Sequence, residues 1–138
     1  MSNADLYRPI IELRIALTAG EYKKLIKFYH DGLDFKTSQK WAGSQGQAEV
    51  LGMGPATLEI FDENQAESVD QIEAGKRVSG KVRFALQGPD LDIALQRLLA
   101  YGAILVHPPV ITPWRDKNVR LQDPESMQIT LFQKQAYQ

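Results

Sequence analysis

Leu13-Arg14-Ile15-Ala16-Leu17 recurs as Val82-Arg83-Phe84-Ala85-Leu86, sixty-nine residues further on. Four of the five pairs are identical or both aliphatic. A second echo keeps nearly the same offset, Leu58-Glu59-Ile60-Phe61 against Ile129-Thr130-Leu131-Phe132. Two matches in the same order point to an internal duplication, with only short insertions between the copies.

Each copy opens with a strand pattern. In Ile10 to Leu17 the residues Ile11, Leu13, Ile15 and Leu17 alternate with Glu12, Arg14 and Ala16, the period of two expected for a sheet with one dry face. Lys81 to Gln87 repeats it, with Val82, Phe84 and Leu86 set against Lys81, Arg83 and Ala85. A helix is expected after each strand. Thr18 and Glu21 have the spacing of a capping box, Leu25, Ile26, Tyr29 and Leu33 recur at helical intervals, and Gly32 reads as the stop. In the second copy Asp90 is the expected cap, Leu91, Ala94, Leu95 and Leu98 form the apolar stripe, and Gly102 ends it.

Three further strand-like runs complete each copy: Asp34 to Ala42, Gln47 to Met53 and Ala56 to Phe61, then Ala103 to Thr112, Asn118 to Gln122 and Met127 to Gln133. The expected architecture is therefore α+β, one domain over 1–138 made of two tandem β-α-β-β-β units, about 9–62 and about 80–133. The polar segment of about 63–79 reads as a linker between them, with a short helix around Ser68 to Ala74 and no active role.

Composition narrows the function. Sixteen basic residues stand against 17 acidic ones, for a net charge of −1, and they are interspersed, so nothing forms the basic stripe a nucleic acid would need. Cysteine is absent, which removes disulfides, thiolate metal sites and cysteine nucleophiles and fits a reducing compartment; the cytoplasm is the expected location. No stretch approaches the roughly 20 apolar residues of a membrane span, so a membrane is not an expected partner.

The tandem units, the segment Phe28-Tyr29-His30-Asp31-Gly32-Leu33-Asp34-Phe35, Pro113-Trp114, and Asp123-Pro124 before the last strand together resemble the vicinal oxygen chelate superfamily. That group includes glyoxalase I, bleomycin resistance proteins and extradiol dioxygenases. The resemblance spans about Ile10 to Phe132. It implies two curved mixed sheets facing each other around a cleft, and commonly a homodimer. In the metalloenzymes of the group, His near the end of a unit's first strand and Glu on its last strand hold a divalent ion. Carried across, those positions are Arg14 and Glu59 in the first unit and Arg83 and Thr130 in the second. A guanidinium has no lone pair to offer a cation. The resemblance thus implies no metal and no other cofactor, unless displaced ligands hold a divalent ion.

Strand alternation assigns Glu12, Arg14, Thr57, Glu59, Phe61, Lys81, Arg83, Gln128, Thr130 and Phe132 to the face away from the helices. Three readings of the charged members stay open, one of them being solvent-exposed faces with no shared role. Arg14, Glu59 and Arg83 form a structural ion network, or the surplus positive charge recruits an anionic oxygen of a small molecule through a planar fork. Trp41, Phe61, Trp114 and Phe132 are the candidates for apolar walls. The expected ligand-binding set is Arg14, Arg83, Glu59, Thr130, Phe61, Phe132, Trp41 and Trp114, and the partner a small anionic or aromatic organic molecule. The alternative is a lyase or dioxygenase, metal-dependent through displaced ligands or metal-free with Glu59 as catalytic base. His30 and His107 read as structural, with His107 remaining a secondary candidate for a pocket acid or base.

Overall fold

The computed structural model describes residues 14–15, 17, 19–44, 46–56, 59 and 61–135, and of Trp41 only the backbone. The elements are α1 (Tyr22–Leu33), β1 (Thr37–Gly43), β2 (Gly46–Leu51), α2 (Glu63–Ala74), β3 (Phe84–Gln87), α3 (Leu91–Ala100), β4 (Ile104–Ile111), β5 (Asp116–Gln122) and β6 (Gln128–Lys134). They build an antiparallel β1-β2 pair and a four-stranded mixed sheet of order β3-β6-β5-β4, in which β3 runs parallel to β6 and the other pairs are antiparallel. From β3 onward the second unit is the expected β-α-β-β-β. The first unit's expected opening strand, Ile10 to Leu17, lies largely outside the described residues, as do Thr57, Leu58 and Ile60 of its expected last strand.

Period-two alternation divides the four-stranded sheet into two unlike faces. Phe84, Val119, Leu121, Ile129 and Leu131 point to one side and meet Leu25, Phe28 and Tyr29 of α1 and Leu91, Leu95 and Leu98 of α3 in a single buried cluster. Phe28 and Tyr29 pack edge to face at 4.9 Å between ring centres, the arrangement ring quadrupoles prefer. Asn118, Arg120, Gln128 and Thr130 point to the other side and are all buried.

The helix ends show where local signals mislead. Thr18 of the expected Thr18–Glu21 box lies outside the described residues; α1 begins at Tyr22, Glu21 stands at its cap position without a side-chain cap, and the Glu21 N–H donates to the Glu125 carboxylate at 2.8 Å. Nor does Gly32 stop the helix, which runs on to Leu33 with Asp34 in the left-handed region behind it. Gly32 is there because α3 comes close: a Cβ at that position would sit 3.2 Å from Leu98 Cδ2 and 3.5 Å from Tyr101 Cδ2. The Asp90 cap of α3 forms as expected, accepting from the Ile93 N–H.

The segment expected to be a linker is the largest departure. It holds a twelve-residue helix, α2, capped by Asp62 at one end and by left-handed Gly75 at the other. Val69, Asp70, Glu73 and Ala74 are its buried face, and Asp70 and Glu73 reach the polar face of the sheet. What covers that face is therefore α2, and the segment takes part in the core. On the sheet's outer strand, β4, Pro108 and Pro109 sit mid-strand, and the pairing with β5 shifts register between Leu105 and His107 and again between His107 and Val110.

Candidate functional site

Arg120 is the centre of the polar face. On β5 it lies between Val119 and Leu121, so the alternation that buries those two against the helices aims it at α2. No part of it is exposed. Its Nη1 donates to Asp70 Oδ1 at 2.8 Å, to the Ser79 hydroxyl at 2.8 Å and to Gln128 Oε1 at 3.3 Å. Nη2 and Nε donate to Glu73 Oε1 at 3.1 and 3.3 Å, and Nε also to Thr130 Oγ1 at 3.3 Å. Complete pairing of this kind is what makes a buried charge tolerable.

The two carboxylates differ in support. Asp70 also receives Arg77 Nη1 at 3.0 Å, the N–H groups of Val78 and Ser79 at 2.8 Å each, and the Ser79 hydroxyl at 2.7 Å. Burial pushes its carboxyl up, but the donors from Ser79, Arg120 and Val78 outweigh this and hold it well below the usual carboxylate range. Glu73 has Arg120, the Asn118 amide at 2.9 Å and the Thr130 hydroxyl. The Asn118 Oδ1 is buried with no partner among the described residues.

Arg83 joins this cluster at its edge. Lying just before β3, it is half-buried; its Nη1 donates to Thr130 Oγ1 at 2.7 Å and its guanidinium stands over the Phe61 ring, 5.8 Å from the centre. Desolvation pulls its pKa below the ordinary arginine value, opposed by the negative charge of Glu73, reinforced by Arg120, and opposed further by Glu59 and Asp70.

Of the residues expected to form the site, the structure brings Arg83, Thr130 and Phe61 into contact, with the exposed Glu59 near enough to act on Arg83. Phe132 lies on the same face of β6 as Thr130 and is half-buried. Arg14 is exposed, an environment unlike that of its pseudo-symmetric counterpart Arg83. Trp114 is exposed in the β4–β5 turn, beyond the Asp116 end of β5, which itself lies four residues, or about 13 Å at strand rise, from the Arg120–Thr130 pair. Trp41 lies on β1, and Thr57 is outside the described residues. His107 directs Nδ1 to the Pro108 carbonyl at 2.7 Å, and His30 pairs with Asp31 at 2.7 Å on the surface.

Sequence reasoning missed Arg120, Asp70, Glu73 and Asn118. Their signals were present: Arg120 alternates with Val119 and Leu121 in a strand pattern, and Asp70 and Glu73 lie one turn apart beside Val69 on one helix face.

A crevice of about 360 Å³ opens beside the cluster, lined among others by Leu17, Leu25, Val78, Val82 and Met127. Gln128, which lines it, also holds Arg120.

The positions that hold metal in the resembling enzymes do not suit a cation in this chain. Arg83 cannot ligate, the Thr130 hydroxyl is engaged by Glu73 and two guanidinium groups, and Glu59 is the one carboxylate at those four positions. Among the described residues no three His, Cys, Asp or Glu side chains converge as a metal site.

Comparison with known proteins agrees with this architecture. Residues 13–131 match the family model of the Glyoxalase/Bleomycin resistance protein/Dioxygenase superfamily, and the chain belongs to that superfamily. Among solved structures it is similar to a hypothetical protein, SA1046, of S. aureus (TM-score 0.61, 15% identity, covering 94% of this chain and 98% of the other). It is likewise similar to TnmS3, an antibiotic binding protein from Streptomyces sp. CB03234 (0.61, 19%, 94% and 100%), and to a lactoylglutathione lyase from Agrobacterium tumefaciens (0.57, 20%, 91% and 95%). At such identities the likeness is one of fold. A cysteine–tRNA ligase from Shewanella amazonensis is 34% identical over 108 residues, covering 72% of this chain. The match spans only 24% of that ligase.

Proposed function

We propose that this chain is a metal-free, small-molecule-binding member of its superfamily, and that its ligand is a small anionic organic compound with an aromatic body, held at Arg83. The observation that carries this reading is the half-buried Arg83 guanidinium, fixed by Thr130 on one side and Phe61 on another. A guanidinium fork of this kind matches a carboxylate in two parallel hydrogen bonds, and an aromatic wall supplies apolar contact area. TnmS3, an antibiotic binding protein, has the same fold, so ligand binding by this architecture has a solved precedent. Arg14, Glu59, Phe132, Trp41 and Trp114 belong to the proposed lining. A homodimer in the cytoplasm is the proposed working form.

Thermal melting with benzoate, and with benzamide as its neutral counterpart, tests the reading. Benzoate at a hundredfold excess over its Kd stabilises the folded state by about 2.7 kcal/mol, which raises the melting point by several degrees. Arg83→Met removes the shift. Equal stabilisation by benzamide, or one divalent ion per chain in the purified protein held through Glu59, overturns it.

A further inference from the structure

Thr130 has one hydroxyl proton and two lone pairs, and the structure uses all three. The proton goes to Glu73 Oε1, and the lone pairs accept Arg83 Nη1 at 2.7 Å and Arg120 Nε at 3.3 Å. Glu73 decides this direction, because a carboxylate only accepts and so takes the hydroxyl proton, leaving the oxygen's lone pairs toward the two guanidinium groups. Glu73 is 2% exposed and Thr130 1%, which shields the arrangement from competing water.

Two consequences follow for the Arg83 site. Thr130 has nothing left to offer a bound molecule. Arg83 has five N–H donors, and among the described residues one hydrogen bond to Thr130 is what they make. The site therefore presents donors, fixed in direction by a chain of bonds that begins on α2, a helix outside both repeated units.

We infer that Glu73, acting through Thr130, is a positioning residue that holds the Arg83 guanidinium in place and restricts the site to ligands with a carboxylate-like pair of acceptors. This rests on the function proposed above and extends it, since it names the residue that sets ligand polarity and places that residue on the segment joining the units.

The loss of both charge and acceptor in Glu73→Met separates positioning from simple attraction. That substitution removes a negative charge near Arg83, so electrostatics alone would tighten benzoate binding; loss of the relay weakens it. Thr130→Val leaves Glu73 its bonds to Arg120 and Asn118 and removes only the relay atom, so it tests the same step where Glu73→Met fails to fold.

Titration calorimetry with benzoate should show binding weakened about tenfold in Thr130→Val, the worth of one hydrogen bond to a charged group, and kept within about twofold in Thr130→Ser, which restores the hydroxyl. The Arg83 Nε–H resonance of the ligand-free protein should be slow to exchange in the wild type and in Thr130→Ser, and broadened in Thr130→Val. Tighter benzoate binding by Glu73→Met, or an unchanged resonance and affinity in Thr130→Val, overturns the relay. Failure of the wild type to bind benzoate overturns the function proposed above, while the resonance still decides the relay.

Discussion

Replacing Arg120 with Met should be among the most costly single changes in the second unit, and the structure says which partner suffers. Asp70 keeps Arg77, two backbone N–H groups and the Ser79 hydroxyl after the change. Among the described residues Glu73 keeps only the Asn118 amide and the Thr130 hydroxyl, and its side chain, 2% exposed, cannot turn to water. Removing one partner of a buried charge pair costs about 3–5 kcal/mol, mostly the burden of the orphaned ion. For a domain of this size that corresponds to a melting point lower by roughly 10–20 °C.

If Glu73 bears the burden, Glu73→Gln added to Arg120→Met should recover more than about 2 kcal/mol, because an amide has no charge to compensate. Asp70→Asn added instead should recover much less. Urea unfolding followed by circular dichroism measures all of these in one double-mutant cycle, with an unchanged m-value showing that the denatured state is not what moved. An Arg120→Met cost below about 1 kcal/mol, or strict additivity with Glu73→Gln, refutes the assignment of the cluster as a coupled buried network.

Two further outcomes follow from the same geometry. Tyr29→Phe should lower stability by about 1.5–3 kcal/mol, because it strips the 2.7 Å hydrogen bond from Asp123 Oδ2, whose other oxygen alone is held by the N–H groups of Glu125 and Met127. Burial, and then the Asp123 bond and charge, raise the Tyr29 pKa far above the ordinary tyrosine value, so this stabilisation is whole at neutral pH and declines as pH rises above about 10. Unfolding titrations should show the difference between wild type and Tyr29→Phe closing in that range, and a constant difference contradicts it. Asp70, depressed in the folded state, contributes stability that is whole at neutral pH and drains away as pH falls below about 4, where the unfolded chain takes up the proton first. The acid limb of the stability curve should accordingly be shallower in Asp70→Asn, as guanidinium titrations at several pH values would show.

The second unit was readable because each strand there obeys a single rule. Phe84, Val119, Leu121, Ile129 and Leu131 all go inward by simple alternation, and the Asp90 cap acts within three residues of itself. Glu21 and Gly32 were misread because what decides them is distant in sequence: Glu125 reaches the start of α1, and Leu98 and Tyr101 crowd Gly32. The site was legible in part. Arg83 and Thr130 do meet, as their places on first and last strands imply. Asp70, Glu73 and Arg120 escaped notice because a polar segment between repeats looks like a solvated connection, and the mean hydropathy of α2 gives no sign that two of its carboxylates are neutralised elsewhere in the chain. A buried charge is legible only together with its partner, here 47 to 50 positions away.

Pro108 and Pro109 bear on how copies of this chain can associate. Neighbouring residues on a strand send their N–H groups in opposite directions, one toward β5 and one away from the sheet, and proline supplies neither. The inward loss accompanies the slipped pairing around His107 and Val110. The outward loss denies a docking strand the donor it would need to extend the ladder across β4. A second molecule meeting this margin must therefore grip side chains, and Ile104, Leu105 and Ile111 stand exposed along it. Whatever forms there can be a greasy seam between two finished sheets, but not one sheet continued through both.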